Sequence, residues 1–440
     1  MPVATCIWTL PRFRGVYKAE VMRITNAHSP SIKNRPVQVY LDSQDYSKLS
    51  DSMDDPTHRL HALFTKLLGH AEAGEVEFRY SAAHVIEIAH LERQHLDFAM
   101  KRARCIEALG RKKCLRFWLE AWRTECGNVV AGHPATDSIT NDDACWHPDV
   151  SEVATELRQT MLNSFREALL DASVNRQQRR KLQRTLFAGG YLSDAGVDAL
   201  MKGRKGLVTT LSDEFPFAGD IDAENLMLRF AKGHASPSEV VDAMSVALRD
   251  LSTFVGWTYE ERDKERKLVV WLRQWGAKLV DIIETLRSNL VEIAERYPNT
   301  EIDKKIYDAA IQNPARNFRT SFIRKFRKEA QSLPKNMRGS NSDWQQLEDS
   351  EIGTLPALDA YILSVVEHVR RSLMMPRKLK ASDAADLVHL CYLPYVDLFR
   401  ADGDTSQTGA VVAKRFGARI IQKLNALPQE IDRALAARGA

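Results

Sequence analysis

The nine residues Val37 to Asp45, VQVYLDSQD, constrain this chain more than any other stretch. Val37, Val39 and Tyr40 favour extended backbone, and with Leu41 they complete a run apolar enough to lie inside a sheet. Asp42 falls where that strand ends. The carboxyl ends of the strands of an open parallel sheet form its ligand crevice, so an acid there is placed for chemistry. The competing reading is an Asp that caps the next helix. A matching arrangement stands near the other end of the chain, in SDAADLVHLCYLPYVDLFRADGD, Ser382 to Asp404. Ser382 or Asp383 caps a helix with Leu387, Leu390 and Leu393 at helical spacing, and Val396 to Ala401 follow as a strand that runs into Asp402. Between the two, VEFRYSAAHVIEIAH supplies a strand at Val76 to Tyr80, an N-cap at Ser81, and Glu87 in the second turn of a helix.

These positions together resemble the PIN-domain nuclease family. The family has a first strand running into Asp-Ser/Thr, here Asp42-Ser43, and a Glu on the helix after the second strand, here Glu87. It also has an acid at the start of a late helix, here Asp386, and an acid after the following strand, here Asp402. The likeness covers residues 35 to 125 and 380 to 440. It departs at Gln44, where the family more often carries Asn or Ser, and Asp383, Asp397 and Asp404 stand close enough to exchange roles with Asp386 and Asp402.

The resemblance implies an α/β fold: a PIN-like three-layer α/β/α core with a central parallel sheet. Its two parts, 36–125 and 381–440, are split by a large all-helical insertion at 126–380, and an extension at 1–35 has no assigned role. It further implies catalytic and metal-binding roles for Asp42, Glu87, Asp386 and Asp402, with Asp383 and Asp404 as substitutes. The expected activity is cleavage of phosphodiester bonds, chiefly as an endoribonuclease on single-stranded RNA, with DNA the less frequent substrate. Four carboxylates in one confined site need a counter-charge, which a divalent cation supplies. Hard oxygen donors without a thiolate point to Mg²⁺ or Mn²⁺, and a bound water then serves as nucleophile.

Charge is informative only where it clusters, because the formal net charge over 440 residues is +4. Arg316 to Arg338, RNFRTSFIRKFRKEAQSLPKNMR, carries eight Lys or Arg against one Glu. Arg316, Arg319, Arg324, Lys325, Arg327 and Lys328 are therefore candidate contacts to a nucleic-acid backbone, with Arg176–Arg184 and Arg370–Lys380 as further candidates. Phe318, Phe322 and Phe326 recur every four residues and read as one core-facing stripe.

The stretches Glu152–Leu170, Arg176–Phe187, Ser236–Leu251, Tyr259–Arg296 and Pro356–Met374 all show helical periodicity. Such an insertion suits a protein partner or a homo-oligomer and a regulated role, such as a toxin or defence effector. Six scattered cysteines without a C-x-x-C pair fit reduced thiols, no leader is evident, and no window is long and apolar enough to span a bilayer; a cytoplasmic protein is expected.

Two rival readings remain. Glu87-x-x-His90 and Asp386-x-x-His389 echo the paired turns that hold two irons in helical bundles, although the second has Asp for Glu. Alternatively, the PIN-like core is inactive and the protein binds nucleic acid or a protein partner. No P-loop, dinucleotide fingerprint, G-x-S-x-G elbow or H-E-x-x-H occurs.

Overall fold

The structure, a computed structural model, describes residues 35–89, 93–136, 139–140, 144–147, 162–163, 175–202, 223–260, 284, 288, 292, 301–330, 339–374 and 381–439. The extension 1–34 and His90 lie outside them. The chain divides into two compact units. The first takes the described residues of Ala19–Pro148 and Leu268–Ala440, and the second those of Asp149–Lys267.

The first unit opens with β1 (Val37–Tyr40), α1 (Ser43–Ser50), α2 (His61–Glu72), β2 (Val76–Arg79), α3 (Ala82–Ala89), α4 (Leu96–Gly110) and α5 (Trp118–Val130). The second holds α6 (Arg176–Leu186), β3 (Phe187–Ala188), β4 (Tyr191–Leu192), α7 (Asp194–Lys202), α8 (Ala223–Ala231), α9 (Pro237–Arg249) and α10 (Leu251–Glu260). The chain then returns to the first unit with α11 (Glu301–Ala330), α12 (Asn341–Asp349), α13 (Pro356–Met374), α14 (Ala381–Leu390), β5 (Leu398–Arg400), α15 (Gly403–Phe416), β6 (Arg419–Ile421) and α16 (Leu427–Gly439).

The first unit is an α/β structure, mostly helical, around a parallel four-stranded sheet of order β2-β1-β5-β6. Val37 lies opposite Val76, and Val39 opposite Leu398, which puts β1 at the centre. Its alternate residues point to opposite faces. Val37, Val39 and Tyr40 are fully buried and Gln38 is 5% exposed, so both faces are covered. Tyr40 stacks on Phe399 of the neighbouring strand at 4.9 Å between ring centroids. The polar group that this burial traps is satisfied: Gln38 accepts from Arg79 Nε at 2.6 Å and donates to Glu77 at 2.9 Å.

The expected insertion at 126–380 needs two corrections. First, α11, α12 and α13 belong to the sheet-bearing unit, because they pack with α5. Trp122 of α5 lies edge-on to Phe322 at 5.4 Å and near Tyr361 at 5.1 Å. The buried Glu125 carboxylate, also on α5, accepts the Ala357 and Leu358 N–H groups and so caps the start of α13. Phe322 and Phe326 are buried, as their spacing requires. Second, the remaining unit is not all helical. Phe187 pairs with Leu192 and Ala188 with Tyr191 across Gly189 and Gly190, both at positive φ, which a two-residue hairpin turn needs. Its core gathers Leu192, Met227, Phe230, Val240 and Met244. Among the described residues no helix is long and apolar enough to cross a membrane.

Candidate functional site

Both strand-terminal acids are helix caps. Asp42 follows β1 with one residue, Leu41, between, and its Oδ1 accepts the Gln44 N–H at 2.9 Å. Asp402 follows β5 with one residue between, and its Oδ1 accepts the Thr405 N–H at 2.8 Å. The two are joined, because Asp42 Oδ2 also accepts the Asp402 N–H at 3.2 Å. Capping and a place at the carboxyl edge of the sheet therefore coexist in the same side chains.

The other two acids come in on helices. Glu87 projects from α3, 27% exposed, with its Oε2 3.7 Å from His389 Nε2. Burial alone would raise its pKa. Hydrogen bonding and charge from His389, with a hydrogen bond from Ser43, outweigh that and hold it below the usual value. Asp386, on α14, goes the other way, to about 8. Burial is the main cause, opposed by His389 and reinforced by the negative charges of Glu87, Asp42 and Asp402. Asp386 thus lies within electrostatic reach of the other three expected acids, which come from separate parts of the chain. Convergence stops short of coordination: among the described residues no three His, Cys, Asp or Glu side chains form a group able to hold a metal ion.

Two histidines organise this edge in different ways. His84 is fully buried; its Nε2 donates to the Leu41 carbonyl at 2.8 Å while its Nδ1 accepts the Ser81 N–H at 3.0 Å. Burial and the neighbouring His389 push its pKa down to about 3, so it is a neutral strut behind the residue that precedes Asp42. His389 is raised instead, because bonding to Glu87 and the charges of Glu87, Asp42 and Asp386 outweigh its burial. Its Nδ1 lies 2.6 Å from Tyr40 Oη, which lies 2.6 Å from Ser81 Oγ. A charged imidazole donates to Tyr40, which then donates to Ser81. His389, Tyr40 and Ser43 are the site residues that sequence reasoning did not assign. The signal for His389 was present in Asp386-x-x-His389, whose three-residue spacing sets both on one helix face.

The substitute acids are engaged elsewhere. Asp404 pairs with Arg371 at 2.9 Å, and Asp383 is 3% exposed. Asp397 precedes β5 at the amino edge of the sheet, where it accepts the Gln38 N–H and pairs with Arg35 and Arg438.

The basic helix needs a further correction. Arg319, expected to touch nucleic acid, is 2% exposed. Its guanidinium bonds Asp359 at 2.7 Å, Ser350 Oγ at 2.9 Å and the carbonyls of Leu347 and Ser350. Burial in this network, and not phosphate binding, is its role. Arg324 and Arg327 both pair with Glu348, at 2.8 and 3.1 Å, and Lys325 sits 3.9 Å from Glu329. Arg316 and Lys328 remain exposed. In the second unit, Arg176, Arg180, Lys181 and Arg184 are exposed on α6, whereas residues 375–380 of the third basic segment lie outside the described residues.

Comparison with protein-family models, with curated proteins and with solved structures found no match to this chain.

Proposed function

We propose that the chain is a divalent-metal-dependent nuclease with a PIN-like core, acting on single-stranded RNA in preference to DNA. The observation that carries the reading is the meeting of Asp42, Glu87, Asp386 and Asp402 at the carboxyl edge of a parallel sheet, with the Asp402 N–H bonded to Asp42. Structural acids have no need to gather against their own repulsion, and three of the four, Glu87, Asp42 and Asp386, favour the charged form of one histidine, His389.

The residues fit Mg²⁺ or Mn²⁺ by donor type, since all four offer hard oxygen and no thiolate. Asp42 and Asp402 would hold the ion, with Glu87 and Asp386 binding directly or through water. As they stand, no three of them surround a common point. Once bound, the ion supplies an activated water and neutralises charge on the phosphate. The chain's own residues do the positioning. The caps fix Asp42 and Asp402 on helix starts, His84 pins the Leu41 carbonyl, and the Ser81–Tyr40–His389 relay orients Glu87.

The test is cleavage of labelled single-stranded RNA and DNA with Mn²⁺ or Mg²⁺, beside an EDTA control and Asp42→Asn. The expected result is metal-dependent cutting that falls at least a hundredfold in the variant. An inactive wild type that still binds nucleic acid or a protein would favour the second reading, a binding protein with an inactive core. One observation supports that alternative: the capping bonds of Asp42 and Asp402 leave the acids short of a coordinating group.

A further inference from the structure

The carboxyl edge of the sheet also carries a cavity of about 650 Å³. Four cations line it, Lys48, Arg59, Arg400 and Lys423, together with the amides of Gln422 and Asn425, and no acid is in the lining among the described residues. They arrive from four places: α1, the loop before α2, the end of β5 and the loop after β6. Lys48, Arg59 and Lys423 are exposed and make no ion pair among the described residues.

Arg400 is the second, independent feature. It is 5% exposed, and its Nη2 lies 2.8 Å from Asp45 Oδ1, yet its buried Nε and Nη1 have no hydrogen-bond partner among the described residues. Leaving such donors unsatisfied costs about 1–3 kcal/mol, more for a charged group. A buried guanidinium thus stands in the wall of a cation-lined cavity with two donors that no described group satisfies.

Guanidinium groups match the geometry of phosphate oxygens, and primary amides add neutral donors. Leu60 and Leu63 form an apolar wall suited to a sugar or base. The volume falls within the range of about 300–1,000 Å³ usual for small-ligand pockets. Asp42 caps the helix that carries Asp45 and Lys48, and Asp402 lies two residues beyond Arg400, so pocket and acids occupy one edge of the sheet.

We infer that this pocket binds a phosphate-bearing nucleotide unit of the strand, beside the acids where cleavage takes place. The assignment of the phosphate to a nucleic acid rests on the nuclease reading; the anion site itself does not. Anchoring one nucleotide there holds a neighbouring linkage at the acid cluster, so the pocket sets where a strand is cut.

Calorimetric titration of the full chain in EDTA tests this without any turnover. The probes are adenosine 5′-monophosphate, inorganic phosphate, glycerol 3-phosphate and adenosine, against wild type and the double variant Arg59→Ala/Lys423→Ala. Both substituted residues are exposed, and circular dichroism checks the fold. The expected result is binding of the nucleotide and of phosphate but not adenosine, with the nucleotide favoured over glycerol 3-phosphate and at least a tenfold loss in the variant. Equal binding by the two proteins, or none by wild type, overturns the pocket even if RNA is cut. Glycerol 3-phosphate binding as tightly as the nucleotide overturns the nucleotide assignment and points to a lipid headgroup. Variant-sensitive nucleotide binding without any metal-dependent cleavage keeps the pocket and removes the nuclease reading.

Discussion

Two basic regions of the first unit are opposites. On α11 the positive charge is dense in sequence, and three of its guanidinium groups already answer acids of the same unit: Arg319 answers Asp359, and Arg324 and Arg327 answer Glu348. Around the pocket the cations stand at positions 48, 59, 400 and 423, far apart in the chain, and the sheet's carboxyl edge brings them together with no acid among the described lining residues. The difference teaches that a local run of Lys and Arg measures what a helix has to neutralise as much as what it offers to a ligand. Scattered cations that converge on a cavity are stronger evidence of recognition, because convergence of like charge is unfavourable unless something binds.

The sharpest way to break this comparison is Arg319→Ala. The substitution leaves Asp359 buried, 0% exposed, with its main counter-charge removed. Breaking a buried pair in this way costs about 3–5 kcal/mol. A large drop in the urea midpoint is expected, with nucleotide affinity unchanged in whatever remains folded. Unchanged stability with weakened nucleic-acid binding would return α11 to the role its sequence suggests.

The next effect in size concerns Glu125, the carboxylate that ties α5 to α13. Burial, opposed by the bonds from Ala357, Tyr395 and Leu358, raises it from 4.5 to about 8. A raised carboxyl adds stability that is fully present below pH 4.5 and is lost as pH climbs through 8. This group alone therefore makes the first unit less stable at pH 9 than at pH 6, by an amount on the order of a few kcal/mol. Glu125→Gln should flatten that part of the profile in denaturation series at the two pH values. An identical slope in the variant would place the pH dependence elsewhere.

These residues also mark how much was legible in the sequence. The strand at Val37–Tyr40 was legible because it is short, apolar and fully buried, and so was the strand within Val396–Ala401. The four acids were legible as a set because each stands beside a strand end or on a helix with a clear start. β6, Arg419–Ile421, was not, since three residues at a sheet edge with one buried side chain carry no usable periodicity. The place of α11 was not legible either, because what decides it lies on other helices: Trp122 on α5, Glu348 on α12 and Asp359 on α13. The pocket left no trace in sequence, since none of its cations neighbours another.

The smallest effect separates the two regions most directly. Binding of a single-stranded oligonucleotide weakens with salt in proportion to the phosphates neutralised, with a slope of about 0.7 per contact. If the pocket cations meet phosphate, Arg59→Ala and Lys423→Ala should each lower the slope of log K against log salt by roughly that amount. Arg324→Ala should leave the slope unchanged, because its guanidinium already answers Glu348 at 2.8 Å. Exposed Lys328→Ala should shift stability by no more than about 0.5 kcal/mol, like most surface substitutions. A lower slope in the α11 variants alone would make the dense run the strand's track and leave the gathered cations without a ligand. Lower slopes in both sets would mean that one strand spans both regions, with the pocket as one end of a longer basic path.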